Sequence, residues 1–264
     1  MLRVSSLGLA VIAIAAGGPA AAANLVTNGG FEMTTTGYGL LGTETNVTGW
    51  TDTPVLHNGK PTKNLGQDYV YAAGTADTAL PKVNPLMDPS HYDNGELWGP
   101  DDGAKNGMPD ASPAGGNFIS LSGGKDPSAL TQTISALKPG QTYVLTFYYA
   151  FAQGYGARRS GSVDSISATL GSQTQVTSPI TMPSEGFVGW QQAQFTFKDF
   201  SGSDVLSFLA AGTIGDPPYA LLDGVSLTTS SIVPEPSAWA LMLVGIGGLG
   251  VSLRAGRKTA TAAA

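Results

Sequence analysis

Apolar and polar side chains alternate along several segments of the chain, most clearly between Gln141 and Ala152. A period of two residues is typical of a β-strand that packs one face on a hydrophobic core. Pro139-Gly140 supplies a turn before this segment. The pattern therefore predicts a central strand whose apolar face carries Tyr143, Leu145, Phe147, Tyr149 and Phe151.

Shorter segments of the same kind predict further strands, and turn residues separate them. They cover residues 117–122, 129–134, 162–170, 190–197, 205–211 and 220–228. No part of the body has a convincing 3.6-residue helical period. Short strands at such regular spacing are typical of a β-sandwich, so we expect an all-β body.

One long segment, at about residues 74–116, interrupts this pattern because it is rich in Pro, Gly, Asp and Asn. Loops of this length are often functional, and we expect an insertion that lies across one end or face of the sandwich. It contains Trp98 and Tyr92, whose rings could stack on the apolar side of a sugar. Trp98 could equally be an anchor that packs the insertion down. Tyr155, in a later Gly-rich loop, is a further aromatic candidate.

Two tryptophans beside the predicted strands, Trp50 and Trp190, have a different expected role. Their neighbours are the alternating apolar residues of the sandwich, so we expect them to fill the core rather than to meet a ligand.

Both ends of the chain have the patterns of targeting segments. Residues 1–23 combine one basic residue, an apolar core and a small-residue end, which predicts a signal peptide cleaved before Asn24. Residues 238–253 form an uncharged apolar run, which as a helix would be roughly 25 Å long, enough for a short transmembrane segment. We therefore expect the sandwich at 24–229, flanked by a signal peptide and a single C-terminal transmembrane helix.

The C-terminal segment at 230–264 begins with Val233, Pro234, Glu235 and Pro236, and its apolar run is followed by the basic residues Arg254, Arg257 and Lys258. This order of parts resembles the PEP-CTERM sorting signal of Gram-negative bacteria. The resemblance implies recognition and cleavage by a membrane-embedded exosortase and delivery to the cell surface or matrix. The basic residues would hold the C-terminus in the cytoplasm. The alternative is an ordinary C-terminal membrane anchor.

Composition narrows the classes of function. The chain has no cysteine, so an exported domain must rest on its apolar core, with or without a metal, rather than on disulfides. Without its two targeting segments the body keeps 9 basic and 18 acidic residues. Such an acidic body without a basic cluster excludes nucleic acid as an expected partner and is compatible with divalent cations and neutral sugars.

Two segments of the body resemble the galactose-binding-like jelly rolls found in carbohydrate-binding modules. They are residues 24–32, followed by Gly49-Trp50, and residues 219–227; residues 115–121 and 130–134 also fit. The resemblance implies a jelly-roll β-sandwich in which Glu32 and Asp223 bind a structural Ca²⁺. Gly224 departs from the pattern, since a second acidic residue is common there. The alternative is that Glu32 caps a turn and Asp223 joins a surface pair.

Catalytic patterns are scarce. His57 and His91 are the only histidines, no Gly-x-Ser-x-Gly segment occurs, and no His or Cys pair has the spacing of a zinc site. Residues 101–107 are faintly similar to a calcium loop but lack its order, and we interpret them as a solvated turn. We therefore expect a protein that is not an enzyme.

Together these patterns predict an exported protein of a Gram-negative bacterium, transiently anchored in the membrane and then placed at the cell surface or in the extracellular matrix. Its expected role is to bind or organise exopolysaccharide in a biofilm or floc. A structural or adhesive matrix protein without specific sugar binding is the alternative, and a glycan-active hydrolase is a third.

Overall fold

The computed structural model describes residues 22–54, 68–78, 95–123, 127–156, 162–198, 200–212 and 219–230. Ala23–Ser230 is one compact unit. Residues 231–264, nearly all of the signal peptide, Tyr92 and both histidines lie outside the described residues. Within the described part of the chain, no helix is long and apolar enough to cross a membrane.

Strands dominate the described residues, with a single turn of 3₁₀ helix at Pro100–Asp102 among them. The strands are β1 Gly39–Leu40, β2 Thr51–Pro54, β3 Tyr69–Tyr71, β4 Phe118–Ser122, β5 Ser128–Leu137, β6 Thr142–Ala152, β7 Val163–Leu170, β8 Gln173–Val176, β9 Ile180–Thr181, β10 Phe187–Lys198, β11 Gly202–Ala211 and β12 Tyr219–Thr229.

These strands form two antiparallel sheets. The front sheet has the order β1-β3-β4-β12-β6-β10, and the back sheet has the order β2-β5-β11-β7-β8, with β9 paired to β7. From β4 to β7, and again from β10 to β12, consecutive strands alternate between the sheets. The predicted all-β sandwich is confirmed.

The seven strands expected from alternation are all present, and β6 covers 142–152, one residue shorter than the predicted 141–152. The beginning of the body, which resembles the start of a jelly roll in sequence, is not a regular strand. Residues 24–32 form bends and a turn, and this segment meets the sheet where the Leu25 N–H donates to the Leu227 carbonyl at 2.8 Å. Asn24 explains the limited pairing, because its side-chain oxygen accepts the Leu227 N–H at 2.9 Å in place of a ladder of backbone bonds.

The main core fills the space between the sheets. The inward face of β6 contributes Tyr143, Leu145, Phe147 and Phe151, each 1% exposed or less. Trp50 is 7% exposed and packs against Phe31 and Phe208, with ring centroids 5.5 and 6.1 Å away. This confirms the expected core position of Trp50.

A second apolar cluster covers part of the outer face of the front sheet. Sheet residues Tyr69, Tyr71, Phe118 and Leu221 belong to it together with Leu97 and Met108 of the insertion. Trp190, half-buried at the β10 edge, packs against this cluster rather than the main core. The insertion therefore covers the outer face of the front sheet, and this part of the sheet is buried on both of its faces.

A half-buried and a fully buried carboxyl group join the sheets at one end. Asp52 lies in β2 of the back sheet and shares a side-chain hydrogen bond with Asp68, which precedes β3 of the front sheet. Asp68 also accepts the Ser122 N–H at 2.7 Å and the Ser128 hydroxyl at 3.1 Å. Burial raises the pKa of Asp52 from 3.8 to about 6 and raises the pKa of Asp68 well above 3.8.

We expect this carboxyl pair to make the fold less stable as pH rises. Both pKa values are raised in the folded state, so the contribution is complete below pH ~4 and is lost as pH rises through about 6. Asp68→Asn removes one ionisable group and keeps an acceptor for Ser122. It should be more stable than wild type at pH 8, by about 1 to 3 kcal/mol, with little difference at pH 4.

Urea unfolding between pH 4 and 8 measures this difference. Asp110→Asn, which changes an exposed carboxylate, is the matched control and should follow the wild-type curve. If the free energies of unfolding of wild type and Asp68→Asn changed with pH in parallel, the carboxyl pair would not be the cause of the pH dependence.

Candidate functional site

The insertion brings one buried and one exposed aromatic ring together. Trp98 is 6% exposed, whereas Tyr155 is 41% exposed, and their ring centroids lie 4.5 Å apart with planes at 49°. The buried indole of Trp98 therefore packs against one side of the exposed Tyr155 ring. Of the two expectations for Trp98, its burial favours the anchor, and Tyr155 presents the accessible ring.

Backbone pairing fixes this arrangement. Leu97 and Gly154 form an isolated antiparallel bridge between the insertion and the chain that follows β6. On either side of it the Trp98 N–H donates to the Gln153 carbonyl at 2.8 Å, and the Tyr155 N–H donates to the Glu96 carbonyl at 2.7 Å. Because opposed residues of an antiparallel pair face the same side, Glu96 and Tyr155 are neighbours on one surface.

Asn106 fastens the insertion from the other side. Its side-chain amide donates to the Trp98 carbonyl at 2.7 Å and to the Glu185 carbonyl at 3.0 Å. Its oxygen accepts the Met108 N–H at 3.1 Å. The Asn106 side chain thus connects two segments of the insertion with the turn before β10. These bonds hold the backbone of Trp98, the residue on which the Tyr155 ring packs.

Glu96, which lies opposite Tyr155 across the bridge, is paired with a second acidic residue. Glu96 and Asp102 share a hydrogen bond between their carboxyl groups, and both are partly exposed. Partial burial, followed by the charge of Asp102, raises the pKa of Glu96 to about 7. Near neutral pH this pair therefore holds a proton for part of the time and can donate as well as accept a hydrogen bond. We call Tyr155, Trp98, Glu96 and Asp102 the Tyr155 surface.

A second arrangement joins the two segments predicted to bind calcium. Asp223 is fully buried in β12; its carboxylate accepts the Ser112 hydroxyl and, at 2.6 Å, the Gly224 N–H. Glu32 lies against the Gly116 backbone and accepts the Asn117 N–H at 2.8 Å. Burial raises the pKa of Asp223 to about 7, and the negative charge of Glu32 contributes to this rise.

The oxygen atoms around Glu32 and Asp223 are of the type that a hard cation prefers, but they are few. Carboxylate and hydroxyl oxygens of Glu32, Asp223 and Ser112 are ligands that Ca²⁺ accepts. Among the described residues, no three acidic or histidine side chains are grouped as metal ligands. Gly224 has φ 59° at the bulge of β12, and a side chain there would meet the Tyr148 ring at 2.9 Å. An acidic residue in its place would therefore be excluded.

The other candidates from the sequence have separate outcomes. Residues 101–107 include the end of the 3₁₀ turn, which Gly103 closes with φ 82°. Tyr92, Val233, Pro234, Glu235 and Pro236 lie outside the described residues, as do Arg254, Arg257 and Lys258. Sequence reasoning did not single out the pairing of Glu96 with Asp102. Its only signal was the density of acidic residues near Trp98, which does not show which of them meet.

The last part of the sequence matches a known sorting motif. Residues 233–258 match the family model described as the PEP-CTERM protein-sorting motif. The chain carries a PEP-CTERM sorting signal. The motif implies export, a membrane-anchored sorting signal and processing by an exosortase. No curated protein matches this PEP-CTERM chain.

Several of the solved structures similar to this chain are carbohydrate-binding modules. TmCBM61 in complex with β-1,4-galactotriose has TM-score 0.40 and 12% identity, covering 79% of this chain and 99% of that one. The CBM22-1 xylan-binding domain of Paenibacillus barcinonensis Xyn10C has TM-score 0.34 and 13% identity, covering 80% and 97%. The module CBM6cm-2 of Cellvibrio mixtus lichenase 5A, in complex with cellotriose, has TM-score 0.26 and 17% identity, covering 45% and 82%.

We expect the two rings of the Tyr155 surface to differ sharply in their contribution to stability. Trp98→Ala in the PEP-CTERM chain removes a buried indole and should lower the free energy of unfolding by about 3 to 5 kcal/mol. Tyr155→Ala removes a partly exposed ring and should cost less than about 1 kcal/mol. Urea unfolding of both variants measures the contrast. Equal losses would show that Tyr155 is also part of the core.

Proposed function

We propose that this chain is a cell-surface or matrix protein of a Gram-negative bacterium whose sandwich domain binds exopolysaccharide at the Tyr155 surface. The observation that carries the proposal is the exposed Tyr155 ring, which packs on a buried indole and lies opposite the Glu96–Asp102 pair across the Leu97–Gly154 bridge. The PEP-CTERM motif supports the location, since it implies export.

The chemistry of the surface suits a neutral sugar. An aromatic face takes the apolar side of a pyranose ring, and a few polar groups beside it fix the orientation through hydroxyl hydrogen bonds. The Glu96–Asp102 pair can act as donor and acceptor for such hydroxyls. The acidic body would repel a strongly anionic polymer. We therefore propose neutral pyranose chains as the ligand class.

The geometry favours binding over hydrolysis. Glycoside hydrolases in general place their two carboxyl groups about 5 to 9.5 Å apart, to leave room for the sugar or for a water. Glu96 and Asp102 instead hydrogen-bond each other directly. The two carboxyl groups of this pair are therefore closer together than the separation that hydrolysis requires.

The proposed Ca²⁺ would act as a structural cross-link. Glu32 follows the first turn of the body and Asp223 lies in its last strand, so an ion held between them would connect the two ends of the domain. Such a link would offset the mutual repulsion of the two carboxylates in a chain without disulfides. The ion would supply charge neutralisation together with this connection.

We expect Tyr155→Ala to reduce glycan affinity at least tenfold, because the stacking face is lost while the fold remains. Tyr38→Ala is the matched control, since Tyr38 is 42% exposed and Tyr155 is 41% exposed. Binding of the full-length chain, in mild detergent, is measured on a glycan array and then by calorimetry with purified exopolysaccharide. A folded chain that binds none of these glycans would overturn the proposal in favour of a structural matrix role. So would equal losses in the two variants.

We expect Ca²⁺ to raise the melting temperature of the full-length chain relative to EDTA, and Glu32→Gln to reduce that rise. The amide keeps the size of the side chain and an acceptor for Asn117 but removes the charge. Asp110→Asn serves as control. An unchanged Ca²⁺-dependent shift in Glu32→Gln would rule out the cross-link at this position.

A further inference from the structure

The outer face of the back sheet exposes apolar side chains, whereas the insertion covers those on the outer face of the front sheet. Val176 of β8 is 55% exposed and Val205 of β11 is 45% exposed. We call the outward residues of β2, β5, β11, β7 and β8 the back face. All of its described residues are uncharged, although the body has twice as many acidic as basic residues.

One row of residues crosses all five strands of the back face and carries a hydroxyl group on each of them. The strand register places its members side by side in the order Thr51, Thr131, Ser207, Thr169 and Thr174. Side chains of similar, short length at one level keep this part of the sheet surface flat. A flat surface is complementary in shape to another flat surface.

Hydroxyl groups of the row are bonded within the sheet. The Thr131 hydroxyl donates to the Thr51 carbonyl at 3.1 Å, and the hydroxyl groups of Thr169 and Thr174 lie 2.9 Å apart. A sugar site needs free polar groups beside an aromatic ring, and the described residues of the back face include no aromatic side chain. The back face therefore suits a contact with protein better than a contact with a sugar chain.

Charge favours a second copy of the chain as the partner protein. Two acidic bodies repel each other unless the surfaces that touch are uncharged, and the back face meets this condition. The sorting motif implies a membrane-anchored stage, in which copies share one surface and meet at high effective concentration.

The size of the back face is sufficient for a weak dimer. Five strands about 4.8 Å apart, with about six outward and inward residues each at about 3.3 Å, give a face of roughly 24 by 20 Å. Two such faces would bury roughly 1,000 Å² in total, which is the lower limit for a specific interface. We therefore expect a reversible dimer rather than an obligate one.

We propose that the back face is a homodimer interface, in which a two-fold axis places this face against its copy. Ser207 is the middle member of the row, so its two copies would lie near the axis. The insertion covers the front sheet, on the far side of each copy, so a dimer would present two Tyr155 surfaces away from the contact and could join two polymer chains. This last consequence rests on the proposed function, whereas the dimer does not.

Disulfide trapping tests the interface without background, because the chain has no cysteine. We expect the full-length Ser207→Cys chain, in mild detergent, to form a covalent dimer on mild oxidation. Thr196→Cys, at an exposed position of the front sheet, is the control and should stay monomeric. Adding Val205→Glu to Ser207→Cys should lower the yield of dimer at least tenfold, because it places two like charges in the contact. Adding Met33→Glu, at a residue that is 51% exposed, should not.

Sedimentation equilibrium in density-matched detergent measures the dimer without a cross-link. Val205→Glu should raise the dissociation constant at least tenfold, and Val176→Lys, on the edge strand, is a second variant with the same expected effect. Circular dichroism shows whether each variant is folded. A chain that stays monomeric would overturn the proposal. So would a dimer that both variants leave unchanged, since another surface would then hold it. Neither readout depends on glycan binding, so the proposed sugar site can fail while the dimer stands, and the reverse.

Discussion

Burial of the front sheet on both of its faces is the constraint on which the rest of this structure depends. Without disulfides, the domain must gain stability from apolar contact, and a two-sheet sandwich buries only the inward faces. Here Tyr71, Phe118 and Leu221 face outward and still lie below 2% exposure, because the insertion covers them. The insertion is consequently part of the core, and its contact with the sheet fixes the Trp98–Tyr155 pair.

The acidic body meets the cost of buried carboxylates in three different ways. Asp52 and Asp68 hydrogen-bond each other, which favours a shared proton. Asp223 keeps its place through hydrogen bonds from Ser112 and Gly224. Asp164 has neither kind of support among the described residues. Burial raises the pKa of Asp164 to about 7, so this carboxyl group can hold a proton near neutral pH in place of a partner.

The fold was largely predictable because long strands carry their own pattern. β7 alternates over its whole length, and most of β5 and β11 and the first half of β6 follow the same rule, while the end of β6 and the start of β12 are buried on both faces. β8 was not predictable in this way, since Gln173 and Gln175 give it no apolar face. Their amides donate to the Lys198 and Thr196 carbonyls of β10, both at 2.5 Å, and so join the edges of the two sheets. Such a strand depends on tertiary contacts that a local pattern does not contain.

The site was less predictable than the fold. Its two aromatic residues and Asp164 differ in how far the local sequence indicates their positions. Whether Trp98 or Tyr155 faces solvent depends on the Leu97–Gly154 bridge, whose partners are far apart in sequence, so no local pattern could assign the exposed ring. Asp164 is different, because its position two residues before Ile166 already marks a charge on the core-facing side of a strand. Local rules are broken mainly where a function or a strain compensates for the loss. The buried carboxyl group of Asp164 thus breaks a local pattern that can be read in the sequence, whereas the exposed ring of Tyr155 depends on a contact that no local pattern contains.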